Sequence, residues 1–260
     1  MSALLVTTSG PIATVTLNRP ERHNAFDDAL IAELTATFAR LGEDSTIGAI
    51  VLASTGKSFS AGADLTWMRR MAAYTPEENE ADAAKLAAML HTLDRLPKPT
   101  IALVQGNAYG GGVGLVACCD IAIAADTARF ALTEVKLGLT PATVSPYVIN
   151  AIGARQARRY FLTGELFSSA TARQIGLVHE TVPAGELEAA RDRILHALAH
   201  GARGAQAEAK SLVFLAEGRK VDEALRAETS RRIAHRRASA EGREGIAALL
   251  EGRAPGWRTA

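Results

Sequence analysis

Residues 12–17 alternate as Ile-Ala-Thr-Val-Thr-Leu, the period-2 pattern of a strand with one buried face, and Asn18-Arg19-Pro20 ends it. Leu30, Ile31, Leu34, Phe38 and Leu41 then recur at helical spacing behind Asp27 and Asp28, either of which can cap the helix. A continuous apolar run over 47–53 suits a buried strand closed by Ser54-Thr55-Gly56-Lys57. Residues 76–96 read as a helix with Leu86, Met89, Leu90 and Leu93 on its inward stripe, stopped by Pro97 and Pro99. Strands follow at Thr100–Val104, Ile121–Ala125 and 129–132. From there the pattern turns helical, over 155–162, Ser169–Ile175, 186–199, 205–216 and 221–237.

Strands separated by helices of this length predict a parallel sheet made of right-handed crossover units. The fold class is therefore α/β, with a boundary near residue 200: 1–200 form the α/β core and 201–260 a helical C-terminal part. Composition leaves this picture standing. A chain of 260 residues with 48% apolar content can build a substantial core. The 29 basic and 28 acidic residues nearly cancel, which argues against an overall electrostatic grip on nucleic acid. Residues 100–119 lack charge, but Gln105, Asn107 and the glycines suit a buried segment better than a membrane span. The N-terminus lacks the pattern of a secretory signal, and the two cysteines, Cys118 and Cys119, are adjacent and unsuited to a relaxed disulfide. Both observations predict a reducing, cytoplasmic location.

The candidate chemistry lies in three places. Residues 104–115 cluster glycines (Gly106, Gly110, Gly111, Gly112, Gly114) at the entrance to an apolar segment. A helix beginning near Gly111 would aim unpaired N–H groups and its positive dipole end at whatever precedes it. Ala61-Gly62-Ala63-Asp64-Leu65 forms a second small-residue turn that can offer another N–H, and Glu134 is an acid among apolar neighbours. Two converging N–H donors are what a thioester oxygen needs as it gains charge, and losing one raises the barrier by about 3–4 kcal/mol. Partial burial of Glu134 would raise its pKa and suit it to proton transfer; plain strand alternation would instead turn it to solvent.

Other readings compete. Gly112-Val113-Gly114-Leu115-Val116-Ala117 fits a dinucleotide fingerprint, yet Tyr109 and six further residues separate it from the strand ending at Val104. The C-terminal arginines (Arg226, Arg231, Arg232, Arg236, Arg237, Arg243) suggest an RNA-binding or scaffold protein, but Glu223, Glu228, Glu241 and Glu244 interleave with them. His196 and His200 are four apart without a third ligand, so no metal site is expected, and Ser58 and Ser60 lack a nucleophile-elbow context.

Taken in order along the chain, 16–26, 61–65, 106–112, 120–124, 133–138, 163–165 and 172–178 resemble the crotonase superfamily of enoyl-CoA hydratases and isomerases. The resemblance implies a crotonase-type ββα spiral core with a C-terminal helical trimerisation region, assembled as a homotrimer or dimer of trimers. It implies an acyl-CoA substrate with no separate cofactor, because coenzyme A arrives as part of the substrate, and neither membrane nor nucleic acid as partner. By motif position Ala63 and Gly111 would supply the oxyanion hole and Glu134 the catalytic acid. Asn24, Ala25, Ala61, Gly62, Asp64, Leu65, Gly110 and Gly114 would bind substrate.

One departure matters. The family's usual first glutamate falls on Gly114, which cannot move a proton. Hydration by one acid and double-bond isomerisation by the same acid both remain open, and the loss of a side chain at 114 is expected to enlarge the acyl pocket. The variant around 112–115 and 139–146 looks most like members acting on branched or carboxylated enoyl-CoAs, such as the methylglutaconyl-CoA and carboxygeranoyl-CoA hydratases of leucine and terpene breakdown.

Overall fold

The computed structural model describes residues 2–258. Two compact units divide the chain: one runs to Leu96 and resumes over Thr100–Asp192, and the other joins Pro97–Pro99 to the segment from Arg193 onward.

The first unit opens with a hairpin, β1 (Leu4–Ser9) and β2 (Ile12–Leu17), paired antiparallel. The inward residues Ala13, Val15 and Leu17 are fully buried, as the alternation requires. Helix α1 (Asp28–Glu43) is capped by Asp27, whose carboxylate accepts the Leu30 N–H at 3.0 Å, and it buries the predicted stripe from Leu30 to Leu41. Next come β3 (Ala49–Ser54), β4 (Ser58–Ser60), α2 (Leu65–Met71) and α3 (Pro76–Asp94). A capping box between Thr75 and Glu78 starts α3. The pattern strand, short strand, helix repeats as β5 (Thr100–Val104), β6 (Asn107–Tyr109) and α4 (Gly111–Cys118). It repeats again as β7 (Ile121–Ala125), β8 (Arg129–Ala131) and, beyond a 3-10 turn at Glu134–Leu137, α5 (Ser145–Thr163).

The long strands form a six-stranded sheet in the order β1-β2-β3-β5-β7-β10, parallel from β2 onward, where β10 is Glu180–Val182. The short strands form a second sheet, β4-β6-β8-β9, with β9 at Phe167–Ser168 leading into α6 (Ser169–Ile175). This is the ββα spiral. Period alone predicts a single sheet, because three-residue strands carry too few residues for alternation to register. The helix expected over 155–162 is the second half of α5, which Gly153 breaks with a φ of 75°. That value lies in the left-handed region open to glycine.

The second unit receives most of α7 (Leu187–Ala199), then α8 (Arg203–Ala216), α9 (Glu223–Ala238) and α10 (Ala240–Leu250). Asp222 caps α9 by accepting the Leu225 N–H, and Glu228 pairs with both Arg231 and Arg232 on its surface. Val213, Ile233, Ile246, Leu249 and Leu250 of this unit are exposed. Among the described residues no helix is long and apolar enough to cross a membrane.

Candidate active site

The repeat explains how three distant segments meet. β4, β6 and β8 are parallel neighbours, Ser60 beside Ala108 and Tyr109 beside Ala131, so the turns leaving their C-terminal ends lie side by side. Those turns carry Ala61–Ala63, Gly110–Gly111 and Thr133–Glu134, and all seven residues line one cavity of about 470 Å³. The ends of parallel strands are where α/β folds receive ligands.

The 61–64 turn is held against the N-terminal loop by a bridge of Phe26 to Ala63. The Phe26 N–H donates to the Gly62 carbonyl at 2.8 Å, and the Asp64 N–H donates to the Phe26 carbonyl at 3.0 Å. A parallel bridge uses the groups on either side of Ala63 and leaves the Ala63 N–H on the opposite side. Gly62 sits at φ 81°, where a Cβ would stand 2.9 Å from the Tyr109 carbonyl oxygen and 3.4 Å from the Gly111 nitrogen. Only glycine lets the two turns approach this closely. Gly110, with φ 51° and ψ −118°, caps α4, and Gly111 is its first residue, so the Gly111 N–H precedes the helical ladder. Among the described residues neither the Ala63 nor the Gly111 N–H meets an acceptor.

Glu134 starts the 3-10 turn after β8 rather than continuing the strand, so alternation does not set its direction. A Cβ on Gly110 would lie 3.0 Å from its Oε1, and its Oε2 is buried without a hydrogen-bond partner among the described residues. Burial pushes the Glu134 carboxyl above the ordinary glutamate range, opposed more weakly by its own backbone N–H. Mostly apolar side chains complete the lining, among them Phe26, Met68, Met71, Leu86, Leu139 and Val144.

The remaining predicted site residues sit differently. Leu65 lines the cavity. Asn24, Ala25, Asp64 and Gly114 do not. Asn24 is fully buried and has its amide consumed: Nδ2 donates to the Thr55 and Ser58 carbonyls, and Oδ1 accepts the Arg19 N–H at 2.8 Å. Ala25 presents its carbonyl to Arg19 at 3.0 Å. Asp64 binds Arg19 at 3.1 Å and Arg22 at 2.8 Å while capping α2 through the Thr66 and Trp67 N–H groups. Burial acts to raise the Asp64 carboxyl, but the Arg22 guanidinium and those two N–H donors outweigh it and hold its pKa at about 2. These residues fix the loop that carries Phe26 and thereby the turn that carries Ala63.

Gly114 is the clearest correction. Its position does not widen the cavity, because a Cβ there would overlap the Val144 side chain and lie 3.6 Å from Leu90. Sequence reasoning also missed Asp82, a buried carboxylate on α3 that lines the cavity. The available signal was an acid one turn before Leu86 on an apolar stripe. His196 and His200 meet edge to face with ring centroids 4.5 Å apart, and no metal-holding group of three ligands occurs among the described residues.

Comparison with known proteins agrees with this architecture over its whole length. The family model described as enoyl-CoA hydratase/isomerase matches residues 7–260. The crystal structure of an enoyl-CoA hydratase from Shewanella pealeana is similar with 43% identity and a TM-score of 0.96, covering 98% of this chain and 96% of that one. An enoyl-CoA hydratase from Mycobacterium smegmatis is 33% identical with a TM-score of 0.94, each chain covered completely. An enoyl-CoA hydratase of Alternaria alternata is 38% identical over 203 residues, 76% of this chain and 65% of that protein. The chain belongs to the enoyl-CoA hydratase/isomerase family, the crotonase superfamily, and is an enzyme of the enoyl-CoA hydratase type.

Proposed function

We propose that this enzyme hydrates a 2-enoyl-CoA to a 3-hydroxyacyl-CoA, with the Ala63 and Gly111 N–H groups binding the thioester oxygen and Glu134 moving the proton. The observation that carries the reading is the pairing of an unpartnered, buried Glu134 oxygen with two unused N–H donors in one cavity. Glu134 takes a proton from water as the water oxygen bonds to C3, and the C2–C3 π electrons pass to the thioester, giving an enolate. The two N–H groups stabilise that oxygen more strongly as an enolate than as a carbonyl, which is the condition for acceleration. Protonated Glu134 then delivers its proton to C2 and returns to the carboxylate. The raised pKa of Glu134 brings its proton affinity closer to working pH in both directions.

Glycine at 114 supports a second reading. With one acid, the same site can take a proton from C2 of a 3-enoyl-CoA and return it to C4, shifting the double bond without adding water. Loss of the conjugated enoyl-thioester absorbance on mixing with a 2-enoyl-CoA tests hydration. Its appearance from a 3-enoyl-CoA, without such loss, would favour isomerisation.

Assembly as a trimer or dimer of trimers belongs to the same proposal, supported by the exposed apolar residues Ile233, Ile246, Leu249 and Leu250. The buried pair Cys118 and Cys119 supports a reducing, cytoplasmic setting.

A further inference from the structure

Asp82 has no role in that mechanism. It is 8% exposed, it lines the catalytic cavity, and no hydrogen bond or ion pair engages its oxygens among the described residues. Those oxygens are not sealed off, since among the described residues the buried unpartnered side-chain polar atoms belong to Trp67, Glu134 and Arg236. Asp82 lies on the same face of α3 as Leu86 and Leu90, one and two turns before them. A carboxylate in this setting is costly unless something satisfies it.

Its place on the helix decides what it can do. Leu90 is the α3 residue that reaches the Gly114 position, within 3.6 Å of a Cβ built there. Asp82 is eight residues earlier, about 12 Å along the axis at 1.5 Å per residue. Along α3 it is therefore displaced by two turns from the residue that meets position 114. The cavity that it lines is walled in part by Met68, Met71 and Leu86, which suit an acyl chain rather than a polar arm. One turn before it, Asn79 spends its Nδ2 on the Tyr74 and Thr75 carbonyls, leaving its oxygen as a further acceptor at the cavity.

We infer that Asp82 is a specificity-determining residue that selects acyl groups bearing a hydrogen-bond donor, a hydroxyl above all, beyond the double bond. An ionised carboxylate only accepts, so a hydroxyl satisfies it, an alkyl chain strips its water, and a carboxylated acyl group brings like charge against it. This rests on the acyl-CoA reading above and narrows its substrate class away from the carboxylated acyl groups that the sequence suggested.

The test is equilibrium binding of three saturated, unreactive thioesters, hexanoyl-CoA, 6-hydroxyhexanoyl-CoA and adipoyl-CoA, with their eight-carbon counterparts and free CoA, to the full-length wild type, Asp82→Asn and Asp82→Leu. The wild type is expected to bind a hydroxyacyl-CoA at least about tenfold tighter than its alkyl match, the size of one hydrogen bond to a charged group, with the dicarboxylic form weakest. Asp82→Leu is expected to reverse the hydroxyl preference, and Asp82→Asn to lift the penalty on adipoyl-CoA. An unchanged ranking in Asp82→Leu, or an equal loss for every ligand including free CoA, would overturn the inference and leave acyl-CoA chemistry intact. Thioesters binding no tighter than free CoA would overturn the acyl-CoA reading and this inference together.

Discussion

Val144 occupies the space that any side chain at position 114 would need. A Cβ on Gly114 would overlap the Val144 Cγ1 and come within 2.9 Å of its Cβ. The glycine at the usual first-acid position is thus matched by a valine from the loop before α5, and the pair forms a sealed contact rather than an enlarged pocket. Restoring an acid there is expected to fail structurally before it can act chemically. Gly114→Ala should cost about 1–3 kcal/mol by overpacking, and Gly114→Glu more. Adding Val144→Ala to Gly114→Ala should recover part of the loss, a coupling that denaturant unfolding of the four-member cycle measures.

Glu134→Gln keeps the shape of the side chain and removes its proton transfer. Turnover of an enoyl-CoA should fall by about 10²-fold or more while acyl-CoA affinity stays nearly constant. Steady-state rates alongside direct binding separate the two effects, and unchanged turnover would remove Glu134 from the mechanism.

The same substitution has a signature in stability. Burial raises the Glu134 carboxyl above its reference value of 4.5 in the folded state. A raised carboxyl pKa contributes its stability below the unfolded value and loses it as pH rises through the folded one. Glu134→Gln should therefore melt higher than the wild type at neutral pH, and the gain should vanish below about pH 4. Thermal melts across that range give the comparison.

Asp64 behaves in the opposite sense. Its carboxyl is held at about 2 against a reference of 3.8, so its contribution is present above the reference value and is lost as pH falls toward 2. Asp64→Asn should cost about 2 kcal/mol at neutral pH, with the difference shrinking through that acid window. Because Asp64 anchors Arg19 and Arg22 next to the Ala63 turn, the variant should also lower kcat.

How much of this was legible beforehand follows from the physics of each element. The stripe of α1 and the alternation of β2 declare themselves because a buried face repeats over many residues. Glycines 62, 110 and 111 and the acid at 134 were legible because close backbone approach and a lone acid leave residue-level marks. The short strands β4 and β6 were not, since three residues cannot display a period, and β8, expected as a strand over 129–132, carried no sign that it joins them in a second sheet. Nor could sequence show that Asn24 and Asp64 spend their polar groups inside the protein, or that Val144 fills the gap at Gly114. Those are pairings between segments distant in the chain.

Mass spectrometry of 2-enoyl-CoA and 3-enoyl-CoA thioesters, short-chain and hydroxylated, after incubation with the enzyme in heavy water separates hydration from isomerisation in one experiment. Hydration by Glu134 gives a product heavier than the 2-enoyl substrate by the elements of one heavy water, with one deuterium bound to C2, and this product disappears in Glu134→Gln. Carbon-bound deuterium with no added water, in wild-type enzyme and from every substrate, would contradict hydration and leave Glu134 as the acid of an isomerase.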